Sequence, residues 1–131
     1  MSVADRAALV TGATVIGAAV ARTFVKAGAR VAIVDAEDDK IRRIVGEIAA
    51  AGGEAFGIAR DVHVRGEALQ TVADSVHRMG RLDILVTALD VAQDSDLLTM
   101  TLEQWTSVLS GNLTPVFLIC QAAAAHMVEC G

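Results

Sequence analysis

The segment AALVTGATVIG, from Ala7 to Gly17, gives the clearest indication of the fold class. A short apolar run, Ala7 to Val10, leads into a glycine-containing turn, and an alanine-rich stretch with helical spacing continues from Gly17 to Ala27. A strand that enters a helix through such a turn brings backbone amides and the positive end of the helix to one point. The stretch therefore predicts the first strand–turn–helix unit of an α/β domain.

The same alternation continues along the chain. Further near-continuous apolar runs, typical of strands buried on both faces of a parallel sheet, are Ala29 to Val34, Ala55 to Ala59 and Leu82 to Val86. Helical patterns that end at glycine follow the first three strands, over Gly17–Ala27, Asp38–Ala51 and Val64–Met79. Strand and helix therefore alternate, which favours the α/β class with a parallel sheet.

A fourth and longer helix is predicted from Thr101 towards Glu129, after an irregular acidic stretch over residues 87–100. Thr101 and Gln104 have the spacing of a capping box. Pro115 cannot donate its amide to Gly111, so it is expected to kink this helix or divide it in two. No repeat or linker indicates a second domain, and residues 1–131 are predicted to form one domain.

Composition and charge exclude several classes of partner. The formal net charge is -5, which argues against a nucleic-acid partner because the chain has no net positive field. The first residues lack the pattern of a signal peptide, and no apolar stretch is expected to reach a membrane span of roughly 18 residues. We therefore expect a cytoplasmic chain without a membrane or nucleic-acid partner.

Cysteine and histidine positions indicate neither a disulfide nor a metal site. Cys120 and Cys130 lie on one predicted helix, where ten residues separate them by about 15 Å, which is beyond disulfide reach. His63, His77 and His126 are far apart and lack ligand spacing, so solvated or capping roles are favoured for them.

The glycine turn and an acidic residue after the second strand predict a dinucleotide site. Backbone amides in the turn from Thr11 to Gly17 are suited to a pyrophosphate at the start of a helix. Asp35 stands 18 residues beyond Gly17, where a carboxylate accepts hydrogen bonds from ribose hydroxyls and repels a 2'-phosphate. The pair favours NAD over NADP. An ordinary tight turn and a helix-capping or solvated acid are the alternative interpretations.

Five segments, in matching order and spacing, extend this pattern over nearly the whole chain. They are residues 9–17, with the glycine turn; 27–35, AGARVAIVD; 60–62, RDV; 80–86, GRLDILV; and 101–118, which include TLEQW and GNLT. Together they resemble the short-chain dehydrogenase/reductase family. The resemblance implies an NAD(P)-dependent oxidoreductase that transfers a hydride between nicotinamide and a carbonyl or alcohol substrate.

The resemblance also implies roles for particular residues. Asp61, in the Asp-Val pair with Val62, matches the residue that contacts adenine in the family, and Asn112 matches the Asn of its catalytic tetrad. The full predicted cofactor-binding set is Thr11, Gly12, Thr14, Ile16, Gly17, Asp35, Asp61, Val62 and Thr87.

The chain departs from the family pattern at three places. Gly17 aligns with the last glycine of the family turn, so the loop is one residue short, its middle glycine has no counterpart, and Ile16 lies beside the gap. TALD, residues 87–90, replaces the family's Asn-Asn-Ala-Gly, and Pro115 stands where glycine is usual. A β-branched residue resists positive φ, so these departures favour weak or lost cofactor binding.

The sequence contains no tyrosine, and family members are about twice its length. Their catalytic Ser and Tyr-x-x-x-Lys lie beyond the matched part, and the Tyr passes a proton to or from the substrate oxygen. The 131 residues alone are therefore expected to be catalytically incompetent. The alternatives are a non-enzymatic nucleotide-binding module, or a dimerising or pseudoenzyme subunit.

Taken with the resemblance, the pattern predicts a partial, Rossmann-like doubly wound sheet with strand order 3-2-1-4 and helices on both faces. The fourth strand would then be an apolar edge, and such edges favour pairing. We expect a homo-oligomer that forms through the helix of residues 102–129, which corresponds to a dimer-forming element of the family, or through this edge.

Overall fold

Four strands and four helices alternate along the chain. The structure is a computed structural model that describes residues 2–92 and 94–130. The elements are β1 (Ala7–Thr11), α1 (Val15–Lys26), β2 (Arg30–Asp35), α2 (Asp38–Ala50), β3 (Ala55–Ala59), α3 (Arg65–Met79), β4 (Ile84–Thr87) and α4 (Leu102–Cys130).

The strands form one parallel sheet in the order β3-β2-β1-β4, which confirms the predicted topology. Leu9 in β1 lies opposite Ala32 of β2 and Leu85 of β4. β1 and β2 are central, and the order reverses direction beside β1. Ligands of open parallel sheets bind outside the carboxyl ends of the strands at such a switch point.

The core has two halves because successive residues of a strand face opposite sides of a sheet. Leu9 and Val34 pack with Val72 of α3 and Ile119 of α4 on one face. Val10 packs on the other face with residues of the first two helices, including Ala21 and Ile44. Every residue of β1 is buried, which explains why its sequence is continuously apolar rather than alternating.

Predicted and observed boundaries differ by one or two residues. α1 begins at Val15 rather than Gly17 because Thr14 caps it, and β2 extends to Asp35. Gly80 ends α3 in the left-handed conformation, which glycine adopts readily. Thr101 and Gln104 form the predicted capping box, in which each side chain bonds the other residue's amide at 2.9 and 3.2 Å.

α4 is one continuous helix of 29 residues that passes through Pro115, so the predicted division in two is wrong. The helix persists because Pro115, Ile119, Ala122 and Ala123 are buried against the rest of the fold. The expectation that no stretch reaches membrane-spanning length is also wrong: α4 is long and apolar enough by length and composition, with a mean hydropathy of 1.5. That is weak evidence, since core helices meet the same criterion.

Among the described residues, β4 pairs only with β1 and forms one edge of the sheet. All four of its residues are half-buried, whereas those of β1 are fully buried. The predicted apolar edge is therefore present in this chain.

Candidate functional site

Two glycines give the turn after β1 its shape. Gly12 has φ +92°, and a Cβ there would lie 2.4 Å from the Ala88 carbonyl oxygen. A Cβ on Gly17 would lie 1.9 Å from the carbonyl oxygen of Gly12. Neither position accepts a side chain without movement of the backbone, so the turn packs tightly even though it is one residue short.

Thr14 fixes the start of α1 to the segment after β4. Its Oγ1 accepts a hydrogen bond from the Gly17 amide at 3.1 Å and donates one to the Ala88 carbonyl at 3.0 Å. One hydroxyl therefore caps the helix and closes the switch point between β1 and β4. The first amides of an α-helix have no partner within the helix, so this end remains suited to an anion.

Val15 and Ile16 follow the cap and are strongly exposed, with 68% of Ile16 accessible. They line an open recess of about 610 Å³ together with Thr14 and residues 87–90. The predicted cofactor residues Ile16 and Thr87 thus face the same recess, and branched apolar side chains stand at the helix end that would receive the phosphates. Whether they obstruct phosphate binding stays a prediction.

Asp35 lies at the end of β2, and both of its carboxylate oxygens accept backbone amides. Oδ2 accepts the Ala13 amide at 2.7 Å, and Oδ1 accepts the Glu37 amide at 2.9 Å. The residue predicted to contact a ribose therefore also holds the shortened glycine turn against β2. A carboxylate has about four lone-pair positions, so these two bonds leave capacity for hydroxyl donors.

Asp61 and His63 form a second acidic feature just after β3. Asp61 Oδ1 accepts the His63 amide at 3.0 Å and lies 2.6 Å from the His63 ring Nδ1. These contacts, with the amide first, lower the pKa of Asp61 below its usual value. Val62 between them is buried in the core and anchors the turn.

A pocket of about 200 Å³ joins these features at the carboxyl edge of the sheet. Its lining residues come from the ends of β2 and β3, the turn after β1, the start of α2, the segment after β4 and one position of α4. They are Thr14, residues 35–37, Lys40, residues 60–63, residues 89–91 and Gly111. Thr14, Asp35, Asp61 and Val62, four members of the predicted cofactor set, therefore meet in one pocket.

Its two basic residues are already paired. Lys40 contacts Glu37, and Arg60 contacts Glu67 at 3.0 Å and Asp74 at 2.9 Å. The carboxylates that line the pocket are Asp35, Glu37, Asp61 and Asp90. The pocket is therefore negatively charged overall. Its charge favours ligand groups that donate hydrogen bonds, such as hydroxyl and amino groups, over a phosphate.

Asn112 connects α4 to the segment after β4 instead of pointing free into a pocket. Its Oδ1 accepts the Val91 amide at 2.9 Å, and its Nδ2 donates to the Val91 carbonyl at 2.7 Å and to the Val108 carbonyl at 3.0 Å. The side chain thus pairs with the backbone of Val91 as a neighbouring strand would. Its catalytic role rests on resemblance alone and stays a prediction.

Thr11 and Thr87 lie opposite each other at the ends of β1 and β4. The Thr11 hydroxyl is buried and has no hydrogen-bond partner in the part of the chain that the structure describes. The backbone carbonyl of Thr11 accepts the Ala88 amide at 2.8 Å. A buried hydroxyl without a partner is destabilising.

Sequence reasoning missed the contribution of His63, which it treated as solvated or capping. Besides Asp61, its ring contacts the Gly111 carbonyl through Nε2 at 3.0 Å. The Asp-x-His spacing signals the local contact, but nothing in the sequence signals a contact with a residue 48 positions away. Cys120 and Cys130 are free, as predicted.

A parallel sheet of this order, with a glycine turn and two acidic strand ends at its switch point, defines a Rossmann-like domain. The family model described as short chain dehydrogenase matches residues 6–131. This chain belongs to the short-chain dehydrogenase/reductase family of oxidoreductases, which bind NAD(P) cofactors.

Individual relatives agree with this assignment. The chain is 38% identical over 128 residues to D-threitol dehydrogenase of Mycolicibacterium smegmatis, covering 96% of this chain and 49% of that protein. It is 38% identical over 124 residues to the short-chain reductase protein NovJ of Streptomyces niveus, and the match covers 94% of this chain and 47% of that protein. A crystal structure of a short-chain type dehydrogenase/reductase from Mycobacterium marinum superposes with a TM-score of 0.92 at 33% identity. The match covers 98% of this chain and 53% of that one. The chain spans about half the length of the curated relatives it matches.

Proposed function

We propose that these 131 residues are the nucleotide-binding half of an NAD-dependent short-chain oxidoreductase and that they hold the adenosine part of the cofactor without catalysing hydride transfer. The observation that carries the proposal is the single pocket where Thr14, Asp35, Asp61 and Val62 meet. The cofactor, when bound, supplies the hydride-accepting nicotinamide. Binding and orientation of the cofactor are the roles of the chain's own residues.

The pocket fits an adenosine better than a whole dinucleotide. Its volume of about 200 Å³ is smaller than the ~300–1,000 Å³ of typical small-molecule sites. Asp61 is positioned to accept an amino group, and Asp35 to accept ribose hydroxyls. The first amides of α1, which have no partner within the helix, are suited to a phosphate.

Preference for NAD over NADP follows from the charge of the pocket. Asp35 keeps its carboxylate at the ribose position, and the nearby cations Lys40 and Arg60 are paired with other acids. A 2'-phosphate would bring two more negative charges to this surface without a free cation to meet them. Like-charge contacts of this kind reduce affinity, and about 1.4 kcal/mol corresponds to a tenfold loss.

Titration calorimetry with AMP, NAD and NADP tests binding. We expect AMP and NAD to bind with similar affinity and NADP to bind about tenfold more weakly or worse. Asp61→Asn should weaken AMP about tenfold, because it removes a charged acceptor, whereas the exposed Asp39→Asn should leave affinity unchanged. Absence of heat with all three nucleotides up to millimolar concentration would remove the binding role.

Catalytic incompetence is tested separately by turnover. The sequence has no tyrosine to exchange a proton with a substrate oxygen. We expect no oxidation of NADH above background with a panel of ketones and aldehydes, and no reduction of NAD with alcohols. Turnover that scales with the concentration of the purified chain would contradict this part of the proposal and leave the binding part intact.

A second proposed role, self-association through α4, rests on an exposed apolar stripe. Trp105, Leu109, Leu113 and Phe117 recur every four residues along one face, and more than half of Trp105, Leu113 and Phe117 is accessible. Sedimentation at micromolar concentration should show dimers or larger species. Leu113→Lys should shift them to monomer, whereas Ser107→Lys, on another exposed face, should not. A wild-type chain that is only monomeric would remove this role and count equally against pairing of the β4 edge.

A further inference from the structure

Pro115 leaves one carbonyl of α4 without its usual partner. Proline has no amide hydrogen, so the carbonyl of Gly111, four residues earlier, receives no helix hydrogen bond from it. His63, from the turn between β3 and α3, brings its Nε2 to 3.0 Å from that carbonyl oxygen. A side chain from another element therefore stands in for the missing helix donor.

The other ring nitrogen of His63 also faces an acceptor. Nδ1 lies 2.6 Å from Oδ1 of Asp61, which also accepts the His63 amide. A neutral imidazole donates through one nitrogen only, whereas an imidazolium donates through both. Both contacts are hydrogen bonds together only when the ring carries two protons.

We propose that His63 is a positioning residue that ties α4 to the β3–α3 turn in its protonated form and releases α4 when it loses a proton. We call the arrangement Asp61–His63–Gly111 the histidine clamp. From α4, only Gly111 lines the pocket that His63 faces, and it offers a carbonyl rather than a charge. The charged groups that line the same pocket are Asp35, Glu37, Lys40, Arg60, Asp61 and Asp90.

The clamp acts on the part of α4 that lies closest to the segment after β4. A Cβ on Gly111 would lie 3.1 Å from Val91, so the helix approaches that segment closely. Asn112, the next residue, holds the backbone of Val91 from the same turn of helix. His63 on one side and Asn112 on the other therefore fix one point of α4 against the pocket.

The direction of the pH dependence follows from the two acceptors. As pH rises, the single remaining ring proton stays on Nδ1, because a carboxylate is a stronger acceptor than a carbonyl. The Nε2 lone pair then faces the Gly111 oxygen, and the contact with α4 is lost. At low pH, protonation of Asp61 weakens the other contact. The clamp therefore requires Asp61 as a carboxylate and His63 as an imidazolium.

A double-mutant cycle between His63 and Pro115 tests the proposal. Pro115→Ala restores an amide that can donate to Gly111, which makes the clamp redundant. At about pH 5.5 we expect His63→Ala to lower the folding equilibrium constant about fivefold in the wild-type background and less than about twofold in the Pro115→Ala background. At a pH high enough that the ring carries one proton, the effect of His63→Ala in the wild-type background should also fall below about twofold.

Two matched variants separate the clamp from a merely structural role. His63→Gln can bond Gly111 but does not titrate, so it should remove the pH dependence while retaining stability. His77→Ala removes an exposed histidine at the end of α3 and should leave the pH dependence unchanged. Effects of His63→Ala and Pro115→Ala that simply add, or a pH dependence that survives His63→Gln, would overturn the proposal.

Nitrogen-15 spectra of the wild-type imidazole rings give a test that needs no variant to fold. At about pH 5.5 both nitrogens of His63 should be protonated, and as pH rises Nε2 should lose its proton while Nδ1 keeps it. The proton loss should coincide with reduced hydrogen-exchange protection of amides in residues 108–116. Deprotonation at Nδ1, or unchanged protection across the titration, would overturn the clamp.

Discussion

Asp83 and Asp61 lie at opposite ends of the same parallel sheet and differ in nearly every contact. Asp83 precedes β4 at the amino edge, where its Oδ2 accepts the Ala7 amide at 2.9 Å and its Oδ1 pairs with the guanidinium groups of Arg6 and Arg81. Its side chain is 10% exposed. Asp61 follows β3 at the carboxyl edge, and its side chain is 53% exposed.

The difference separates the part of the sheet that stabilises the fold from the part that is available to a ligand. At the amino edge, both oxygens of Asp83 are used: Arg6 and the Ala7 amide tie it to the start of β1, and Arg81 pairs with it from the segment before β4. At the carboxyl edge, Asp35 and Asp61 accept backbone amides through part of their capacity and surround a pocket. Substitutions at the two edges should therefore have different consequences.

The largest effect is expected for Gly12→Ala, which tests whether the backbone of the turn after β1 can move. Gly12→Ala should lower the free energy of unfolding by about 4 kcal/mol, because it combines a positive φ with a clash against the Ala88 carbonyl. Gly46→Ala, in open space within α2, should raise it by about 1 kcal/mol. Urea unfolding measures both. Similar values for the two variants would show that the turn relaxes freely.

Asp83→Ala tests the structural role of the amino edge. It leaves the Ala7 amide without an acceptor and two arginines without their shared carboxylate, so we expect a loss of about 3 kcal/mol in the free energy of unfolding. The exposed Asp39→Ala should change it by no more than about 0.5 kcal/mol. If the two substitutions cost the same, the contrast between the edges is wrong.

Thr11→Val addresses the buried hydroxyl at the switch point. Valine has the same shape without the unpartnered oxygen, so we expect stabilisation by about 1 kcal/mol in thermal or urea unfolding. Thr71→Val is a suitable control because the Thr71 hydroxyl bonds the Glu67 carbonyl at 2.8 Å. It should not stabilise the chain. Destabilisation by Thr11→Val would indicate that the hydroxyl has an unseen partner, such as bound water.

The smallest effect concerns acid stability, for which direction alone is predicted. Burial raises the pKa of Asp83, but the Ala7 amide and the two arginines outweigh it and hold the pKa below its usual value. The folded state therefore binds fewer protons than the unfolded state. The stabilisation is present at pH values above the unfolded-state pKa of about 3.8, and it is lost as pH falls through the pKa of the folded state.

Circular dichroism during acid titration measures this effect. At pH values below the pKa of aspartate in the unfolded state, Asp83→Asn should reduce the acid-induced loss of stability more than Asp61→Asn does. The reason is that Asp61 is more exposed to solvent screening. An equal or larger change for Asp61→Asn would reverse the assignment of the two edges.

Most of the fold was accessible from the sequence because buried parallel strands leave continuous apolar runs and amphipathic helices leave a periodic pattern. The helical segments and the capping role of Thr101 followed from such signals, whereas the strand order also required the resemblance to the family. The continuity of α4 did not, because burial of Ile119 and its neighbours outweighs the local effect of Pro115. Propensity rules describe a proline in isolation, whereas tertiary packing decides the helix.

The candidate site was only partly accessible for the same reason. Asp35 and Asp61 were identified from spacing and resemblance, and the structure brings both to one pocket. The contact of Asp35 with the Ala13 amide depends on the path of the shortened turn, and that of His63 with Gly111 depends on how α4 packs. Neither leaves a local pattern in the sequence.

The most direct test of the proposed nucleotide site is a titration of the nitrogen-15-labelled chain with AMP, followed by amide chemical shifts. We expect saturable shifts confined to Thr14, residues 35–37, residues 61–63 and the neighbouring turn, with no change at the amino edge around Ala7 and Asp83. Absence of shifts at millimolar AMP, or shifts centred on the amino edge, would contradict it.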